Sequence, residues 1–300
     1  TIWRHKYAAR IPEGYPAPEA LGPRATPTIN KLRLFTVGSL GHLYCINKTD
    51  GDVLWTFDPV AEFGLKPPQA GYAAAPLIFY DRVIFALGSD GAQETGGLLV
   101  FHQATGKLLW RQQTLEPIDA APFVVDIDDK EHLILATSTS VLGLDPYMGK
   151  FLWKFDHDHP STPIWCRHRK MFIVPSTSPG GSAAFALEGD ASRYTTHLAW
   201  RKPELQMDQA VLISEQLYAA GVVEGKSALF EVDIADGSVV WNDPSFDRGY
   251  LLSVDGKFLV IDRGGRLAMV STAAGGHVVQ AESKLQAEGR WAPPSMDRGR

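Results

Sequence analysis

The chain has 300 residues, 45% of them hydrophobic and 21% charged, with a formal net charge of −5. This composition is ordinary for a folded globular domain and unlike that of disordered or collagen-like chains. No basic stripe favours a nucleic-acid partner, and no apolar run approaches the roughly 20 residues that a transmembrane helix needs.

The predicted elements recur along the chain as one repeated unit with two markers. The first marker is a pair of small residues closed by a proline: RATP (Pro27), AAAP (Pro76), DAAP (Pro122) and PSTP (Pro163). Each proline precedes an apolar stretch that predicts two strands joined by a polar hairpin. A proline at the first residue of a strand removes no internal ladder bond, so this position is a natural start for a sheet.

The second marker is a polar residue, a glycine four residues later and a tryptophan four residues after that. It occurs as Asn47/Gly51/Trp55, His102/Gly106/Trp110, Asp145/Gly149/Trp153 and Asp233/Gly237/Trp241. Apolar runs flank each glycine, which is typical of a β-hairpin. Glycine can adopt the positive φ of the turn, and an Asp or Asn side chain can bond back to the turn backbone.

Two weaker copies complete the series. One lies between Glu188 and Trp200 with four extra residues, and another places Gly275 before Val279. TIW at the start is interpreted as the tail of a further copy, and WAPP (Pro294) as the beginning of the next. Repeats of about 40 residues with four antiparallel strands each predict an all-β fold, a β-propeller of four-stranded antiparallel blades. We expect one domain over residues 1–300, cut at both ends, with six complete blades out of about seven to eight in the full protein.

The segments HQATGKLLW and DPYMGKFLW resemble the repeat of the PQQ-binding-like β-propeller proteins, in the quinoprotein alcohol-dehydrogenase-like superfamily. The resemblance covers about residues 1–298, and the group includes BamB-type outer-membrane assembly lipoproteins. It implies a periplasmic or secreted location and a structural role for the repeat tryptophans, which pack between neighbouring blades. No Trp-Asp pair closes a unit, so a WD40 propeller is not favoured. The tryptophans concerned are Trp55, Trp110, Trp153, Trp200 and Trp241.

The same resemblance raises the question of catalysis with pyrroloquinoline quinone (PQQ). Quinoprotein dehydrogenases of this superfamily usually carry adjacent cysteines, a calcium ion held by Glu, Asn and Asp, and an Asp base. Here Cys45 and Cys166 are far apart, and no segment matches the calcium and base residues. We therefore expect two free buried thiols, no cofactor and no catalytic residue. A PQQ- and calcium-dependent alcohol or sugar dehydrogenase is the alternative.

Other motifs that suggest chemistry are interpreted as loops. Asp156–His159 (DHDH) follows a repeat tryptophan, and no third cluster completes a metal shell around its two histidines. The segment 126–129 (DIDD) lacks the glycine and distal glutamate of a calcium loop and predicts a hairpin turn. The glycine-rich segments 88–97 and 175–182 open no helix and predict loops between second and third strands.

The remaining candidate is a binding surface at the mouth of the central channel. The resemblance places there the residues just before each proline marker: Arg24, Tyr72, Asp119, His159 and Trp291. They predict either a polar funnel or ordinary exposed loops. We expect a monomeric, non-catalytic binding or scaffold protein of the cell envelope with a protein or envelope partner. A ligand sensor or carbohydrate-binding domain that uses the funnel is a third possibility.

Overall fold

The computed structural model describes residues 2–7, 24–68, 71–88, 97–113, 116, 118, 120–190, 193–273, 275–285 and 296. Their contacts divide the chain into two compact units, Thr1–Asp156 and His157–Arg300. Each unit is described by itself. The single domain expected over residues 1–300 stays a prediction.

The first unit contains three four-stranded sheets. Sheet 1 consists of β1 (Thr28–Ile29), β2 (Arg33–Val37), β3 (Leu43–Asn47) and β4 (Val53–Phe57). Sheet 2 consists of β5 (Leu77–Phe79), β6 (Arg82–Leu87), β7 (Gly97–His102) and β8 (Leu108–Gln113). Sheet 3 consists of β9 (Phe123–Ile127), β10 (Lys130–Ala136), β11 (Ser140–Leu144) and β12 (Phe151–Asp156). A short helix, α1 (Pro59–Phe63), follows sheet 1; the Asp58 side chain accepts bonds from the amides of Val60 and Ala61.

The second unit contains three more sheets of the same kind. Sheet 4 consists of β13 (Ile164–Cys166), β14 (Met171–Val174), β15 (Ser182–Asp190) and β16 (Arg193–Lys202). Sheet 5 consists of β17 (Leu205–Ile213), β18 (Gln216–Val223), β19 (Lys226–Val232) and β20 (Val239–Asp243). Sheet 6 consists of β21 (Gly249–Val254), β22 (Lys257–Asp262), β23 (Arg266–Ala273) and β24 (Gly276–Lys284). A single 3-10 turn, Arg167–Arg169, lies between β13 and β14.

Every sheet is an antiparallel meander in chain order, which confirms the predicted blade. The arrangement gives each sheet two different ends. The turn end holds the first and third hairpin turns. The joining end holds the loop between the second and third strands together with the segments that enter and leave the sheet. Asp128 and Asp129 form a two-residue turn with positive φ at the turn end of sheet 3, so the hairpin turn predicted for DIDD is formed by its last two residues, while Asp126 and Ile127 end β9.

The sheets bury their middle strands. In β6 every residue after Arg82 is buried, and so is every residue of β11. Phe35 and Cys45 of sheet 1 pack in one apolar cluster with Phe85 and Phe101 of sheet 2. Adjacent sheets within a unit therefore pack face to face, and this burial is the main stabilising term.

The glycine turns have the predicted geometry. The φ values of Gly51, Gly106, Gly149 and Gly237 are 84°, 68°, 72° and 73°. Each glycine amide donates to the carbonyl four residues earlier. The side chain of that earlier residue accepts from turn amides, as Asp145 does from Tyr147 at 2.8 Å. The polar residue and the glycine therefore close the turn together.

The tryptophan ring of the preceding repeat packs on each of these glycines. A Cβ built on Gly106 would lie 2.7 Å from Cγ of Trp55, and one on Gly237 would lie 2.7 Å from Cδ2 of Trp200. Gly51 and Gly149 lie against the rings of Trp3 and Trp110 in the same way. The contact of Trp3 with Gly51 supports the interpretation of TIW as a repeat tail. Glycine is needed here for the positive φ and for the close approach of the ring.

The hydrogen bonds of three docked indoles are equivalent. Nε1 of Trp3, Trp55 and Trp200 donates to the carbonyl three residues before the glycine, at 2.9, 3.0 and 2.9 Å. Nε1 of Trp110 finds no acceptor in the described part of the chain. Burial also differs from the prediction: Trp153 and Trp200 are buried, whereas Trp55, Trp110 and Trp241 are half-buried. All five rings lie on fourth strands, the edge strands of their sheets, so strand position alone does not decide their burial.

Trp153 departs from the docking pattern because of its cross-strand partner. In β11 it pairs with Gly143, where a Cβ would lie 2.1 Å from the indole. The missing side chain lets Trp153 lie over its own sheet, and its Nε1 donates to Nδ1 of His132 at 3.0 Å. The equivalent partners of Trp55 and Trp110 are Cys45 and Val100. The role predicted for Trp153 from its spacing alone is therefore incomplete.

Candidate functional site

The joining ends are the best candidate for a functional surface because their loops are bonded to one another. In the first unit, the Tyr72 amide donates to the Ser39 carbonyl at 3.0 Å, which ties the segment entering sheet 2 to the loop of sheet 1. In the second unit, the Ser161 amide donates to the Pro175 carbonyl at 2.8 Å. Loops held in this way present a fixed surface on a rigid scaffold.

Glu116 precedes sheet 3 in the chain and lies against the loop between β10 and β11 at the joining end. Its Oε2 accepts hydrogen bonds from the hydroxyls of Thr137, Ser138 and Thr139. The bond from Thr139 is the largest contribution that lowers the pKa of Glu116 below its usual value. The carboxylate therefore stays ionised. Its lone pairs are used to hold the β10–β11 loop and not to accept a proton.

A cavity of about 450 Å³ opens beside this carboxylate. Thr137, Ser140 and Glu116 form its polar wall. Its apolar wall comes from β11 and β12, with Lys154 beside it; the lining residues there are Leu142, Phe151, Leu152 and Trp153. A volume of this size with few polar groups fits a small molecule or the side chains of a bound peptide.

His132 lies behind the same wall, fully buried in β10. Burial lowers its pKa from 6.5 to about 4. Since the Trp153 indole donates to Nδ1, that nitrogen carries no proton, and the imidazole is neutral. Protonation would break this bond and leave a charge inside the sheet.

The joining end of sheet 4 is built from buried serines. The Ser176 hydroxyl lies 3.0 Å from the carbonyl oxygens of Asp158 and His159 and from Oγ of Ser178. The Ser176 amide donates to Oγ of Ser182 at 3.1 Å. The DHDH segment is thus bonded to the 175–182 loop, as expected for two loops that share one end of a sheet. His157 in this segment is buried, and burial lowers its pKa to about 4.

Acidification is expected to destabilise the fold through these two histidines. Unfolded imidazoles have a pKa of about 6.5, whereas His132 and His157 have folded values of about 4. The unfolded state therefore takes up protons first, so stability is complete above pH 6.5 and falls as the pH drops towards 4. Urea midpoints measured across this range should fall less steeply in His132→Gln than in the parent. Equal slopes would contradict the assignment.

A further charged pair lies in the second unit, at the start of sheets 5 and 6. The Arg248 guanidinium binds Asp208 through two nitrogens, and Asp208 lies at a bulge in β17. Hydrogen bonding to Asp208 raises the pKa of Arg248. The Gln209 side chain accepts from the Leu251 amide at 2.9 Å. This bond ties β17 to β21, the first strands of sheets 5 and 6. No sequence marker pointed to this pair, because its members are 40 residues apart.

The residues predicted to line a funnel lie in different environments. Arg24 is exposed, and its Nη1 lies 3.4 Å from the Gly71 carbonyl. Tyr72 is only 1% exposed and packs in the apolar cluster between sheets 1 and 2, so its side chain does not form a surface. His159 is exposed, with φ of 46°. Asp119 and Trp291 lie outside the described residues.

Potential metal ligands and cysteine thiols do not come together in the described part of the chain. Among the described residues, no three His, Cys, Asp or Glu side chains are grouped closely enough to hold a metal ion. Cys45 and Cys166 are buried free thiols in separate sheets, and burial raises the pKa of Cys45 to about 11. A thiol with this pKa stays protonated at neutral pH and is a poor nucleophile.

Membrane insertion through a helix has no candidate in the described part of the chain, where neither short helix is long and apolar enough to cross a bilayer. Comparison with the curated proteins finds no match.

Solved structures share the fold at low sequence identity. The BamB structure from Moraxella catarrhalis has a TM-score of 0.61 and 15% identity, over 89% of this chain and 75% of that one. A europium-containing methanol dehydrogenase has a TM-score of 0.66 and 11% identity, over 96% and 73%. The computationally designed Ika8 protein has a TM-score of 0.57 and 12% identity, over 85% and 72%. The six sheets are accordingly blades of a β-propeller, as predicted.

A family model decides between the many groups that use this fold. The model described as "Outer membrane protein assembly factor BamB" matches residues 1–243. This span includes all five predicted repeat tryptophans and the first five sheets. The chain therefore belongs to the BamB-like family of PQQ-repeat propellers.

Proposed function

We propose that this chain is a non-catalytic binding or scaffold protein of the cell envelope, with the joining ends of its blades as the recognition surface. One observation carries the proposal. The reactive groups described at these ends hold loops in place. The Glu116 carboxylate accepts hydrogen bonds from three hydroxyls, and the Ser176 hydroxyl lies within hydrogen-bond distance of two carbonyl oxygens. Groups engaged in this way give shape and hydrogen-bonding specificity, not acid–base or nucleophilic catalysis.

The family supports the cellular location. A BamB-like match over most of the chain favours a periplasmic or secreted protein with a protein or envelope partner. We propose no nucleic-acid partner, in keeping with the net charge of −5, and a monomeric state.

The alternative is a PQQ-dependent alcohol or sugar dehydrogenase, which the fold shared with a methanol dehydrogenase keeps open. PQQ would supply the oxidising centre, and calcium would polarise its carbonyl. No group of three His, Cys, Asp or Glu side chains that could hold a metal ion occurs among the described residues, and the repeat tryptophans Trp55, Trp110 and Trp200 pack on glycine turns. We therefore propose that the protein works without a cofactor.

Calorimetric titration with PQQ plus calcium tests the choice directly. We expect no saturable heat beyond that of calcium alone, and no dye reduction on addition of an alcohol or a sugar. Micromolar binding together with dye reduction would replace the binding protein with the dehydrogenase.

A second arm of this experiment addresses the surface. A photo-crosslinking amino acid at exposed His159, on the joining end of sheet 4, should label partners in an envelope extract. The same group at exposed Ala235, on the turn end of sheet 5, is the matched control. Equal labelling from both positions would contradict the assignment of the joining end.

A further inference from the structure

An exposed group of apolar side chains lies at the turn end of the first unit, away from the joining end. It consists of Tyr80, Tyr147 and Met148, which are 68%, 43% and 77% exposed, and it is called the aromatic patch below. Tyr80 lies in the first turn of sheet 2 and the other two in the glycine turn of sheet 3. The three residues between the polar residue and the glycine read PYM in sheet 3, and KTD, QAT and IAD in sheets 1, 2 and 5. Exposed aromatic and methionine side chains are enriched at recognition surfaces.

The two tyrosine rings are held in place by one carboxylate. The Tyr80 hydroxyl donates to Oε1 of Glu131 at 2.8 Å, and the Tyr147 hydroxyl donates to Oε2 at 2.6 Å. The Phe79 ring packs edge-on against both, with centroids 4.7 and 5.4 Å away. Rings fixed in this way lose little conformational entropy when a partner binds.

Arg82 is engaged with the patch itself. The Arg82 guanidinium lies 5.0 Å from the Tyr147 ring centroid, and Nη1 donates to the Tyr147 carbonyl at 2.9 Å. The patch therefore combines an open apolar surface with polar groups that already have partners. An apolar side chain can cover it without burying an unpaired hydroxyl.

Negative charge dominates the two turns that carry the patch and the neighbouring first turn of sheet 3. Segments 80–82, 126–131 and 145–150 carry six carboxylates against three cationic side chains, a net charge of −3. The carboxylates are Asp81, Asp126, Asp128, Asp129, Glu131 and Asp145. Asp81 has 63% of its side chain exposed. Such a surface attracts a cationic partner and repels an anionic lipid surface or a nucleic acid.

We propose that the aromatic patch docks a peptide segment that is rich in Lys or Arg and carries an apolar side chain. The apolar side chain covers Met148 and the Tyr147 ring, while the cations face the surrounding carboxylates. This inference rests on the proposed binding function and gives it a second surface with a partner of defined chemistry.

A fluorescein-labelled synthetic peptide of alternating Lys and Leu is the probe, with a Glu and Leu peptide as its charge-reversed control. Fluorescence anisotropy at low ionic strength should show saturable binding of the Lys peptide to the whole chain. Met148→Ser and Asp126→Asn should each weaken this binding on the order of tenfold, and added salt should weaken it further. Both positions are exposed, so their denaturation midpoints should match the parent and show that the fold is intact.

Leu198→Ser is the matched control, since Leu198 is another exposed apolar residue, at 56%, on a strand of the second unit. It should leave peptide binding unchanged. Equal losses in Leu198→Ser and Met148→Ser, or equal binding of the two peptides, would overturn the proposal. Self-association of the parent that Met148→Ser abolishes would assign the patch to a second copy of the chain instead. The quinone titration is independent of these measurements, so failure of the patch and failure of the proposed function can be told apart.

Discussion

Trp200→Ala is expected to lower the free energy of unfolding by about 3–5 kcal/mol, in the range of large-to-small substitutions at buried aromatic sites. The ring is 6% exposed, lies against Gly237 and donates from Nε1 to the Ile234 carbonyl at 2.9 Å. Its removal leaves a cavity between sheets 4 and 5 and an unpaired carbonyl. Denaturation by guanidinium chloride, followed by circular dichroism, measures the loss.

Trp110→Ala is the matched comparison, because Trp110 also docks on a glycine turn. It is half-buried, and its Nε1 finds no acceptor in the described part of the chain, so its removal should cost less than that of Trp200. A Trp200→Ala midpoint equal to the parent's would show that the docked indole does not hold the blades together.

Gly237→Ala is the second substitution with a large expected effect. Gly237 has φ of 73°, and a Cβ there would lie 2.7 Å from the Trp200 ring. The variant therefore combines backbone strain, about 1–3 kcal/mol, with displacement of the indole. The same denaturation experiment should give a loss larger than strain alone produces.

Gly225→Ala separates the two contributions. Gly225 has φ of 79°, yet nothing lies within 4 Å of the Cβ that would be added. This variant has the cost of backbone strain alone. The difference in unfolding free energy between the two variants therefore measures the contact with Trp200. If both glycines gave the same loss, the ring contact would have no measurable energetic role.

The blade could be predicted from the sequence because its markers are local. Asp145 and Gly149 are four residues apart, and the turn they form depends on those residues and their backbone. The proline and tryptophan positions then gave the number of strands in each repeat. A structure that repeats such a local device is readable without knowledge of long-range contacts.

The behaviour of Trp153 could not be predicted from its spacing to Gly149. It depends on which residue lies opposite in the neighbouring strand, and Gly143 is that residue. The bulge between Gly143 and Leu144 recurs at the equivalent place in sheets 1 and 2, so the register is shared and the glycine at position 143 is what differs. Sequence spacing therefore identified the tryptophan but not the direction of its ring.

The candidate site was harder to predict for the same reason. Glu116 and the hydroxyls it binds are more than 20 residues apart, and Asp208 and Arg248 are 40 apart. Tyr72 was predicted to line a funnel from its place before a proline marker, but its aromatic ring is buried in the core, where a large ring contributes much apolar area. Hydrophobic burial determines where this side chain lies in the structure. Its distance along the sequence from a proline marker does not indicate whether it is buried.

The direction of tryptophan docking has a consequence for how the chain folds during synthesis. In all four docked pairs the indole comes first and its glycine turn follows, as Trp55 precedes Gly106 and Trp200 precedes Gly237. A newly made blade therefore has all four strands and an exposed indole, and the next blade to leave the ribosome supplies the glycine turn on which that indole packs. Growth by such short-range steps keeps contact order low and lets the chain assemble in the order in which it is translated.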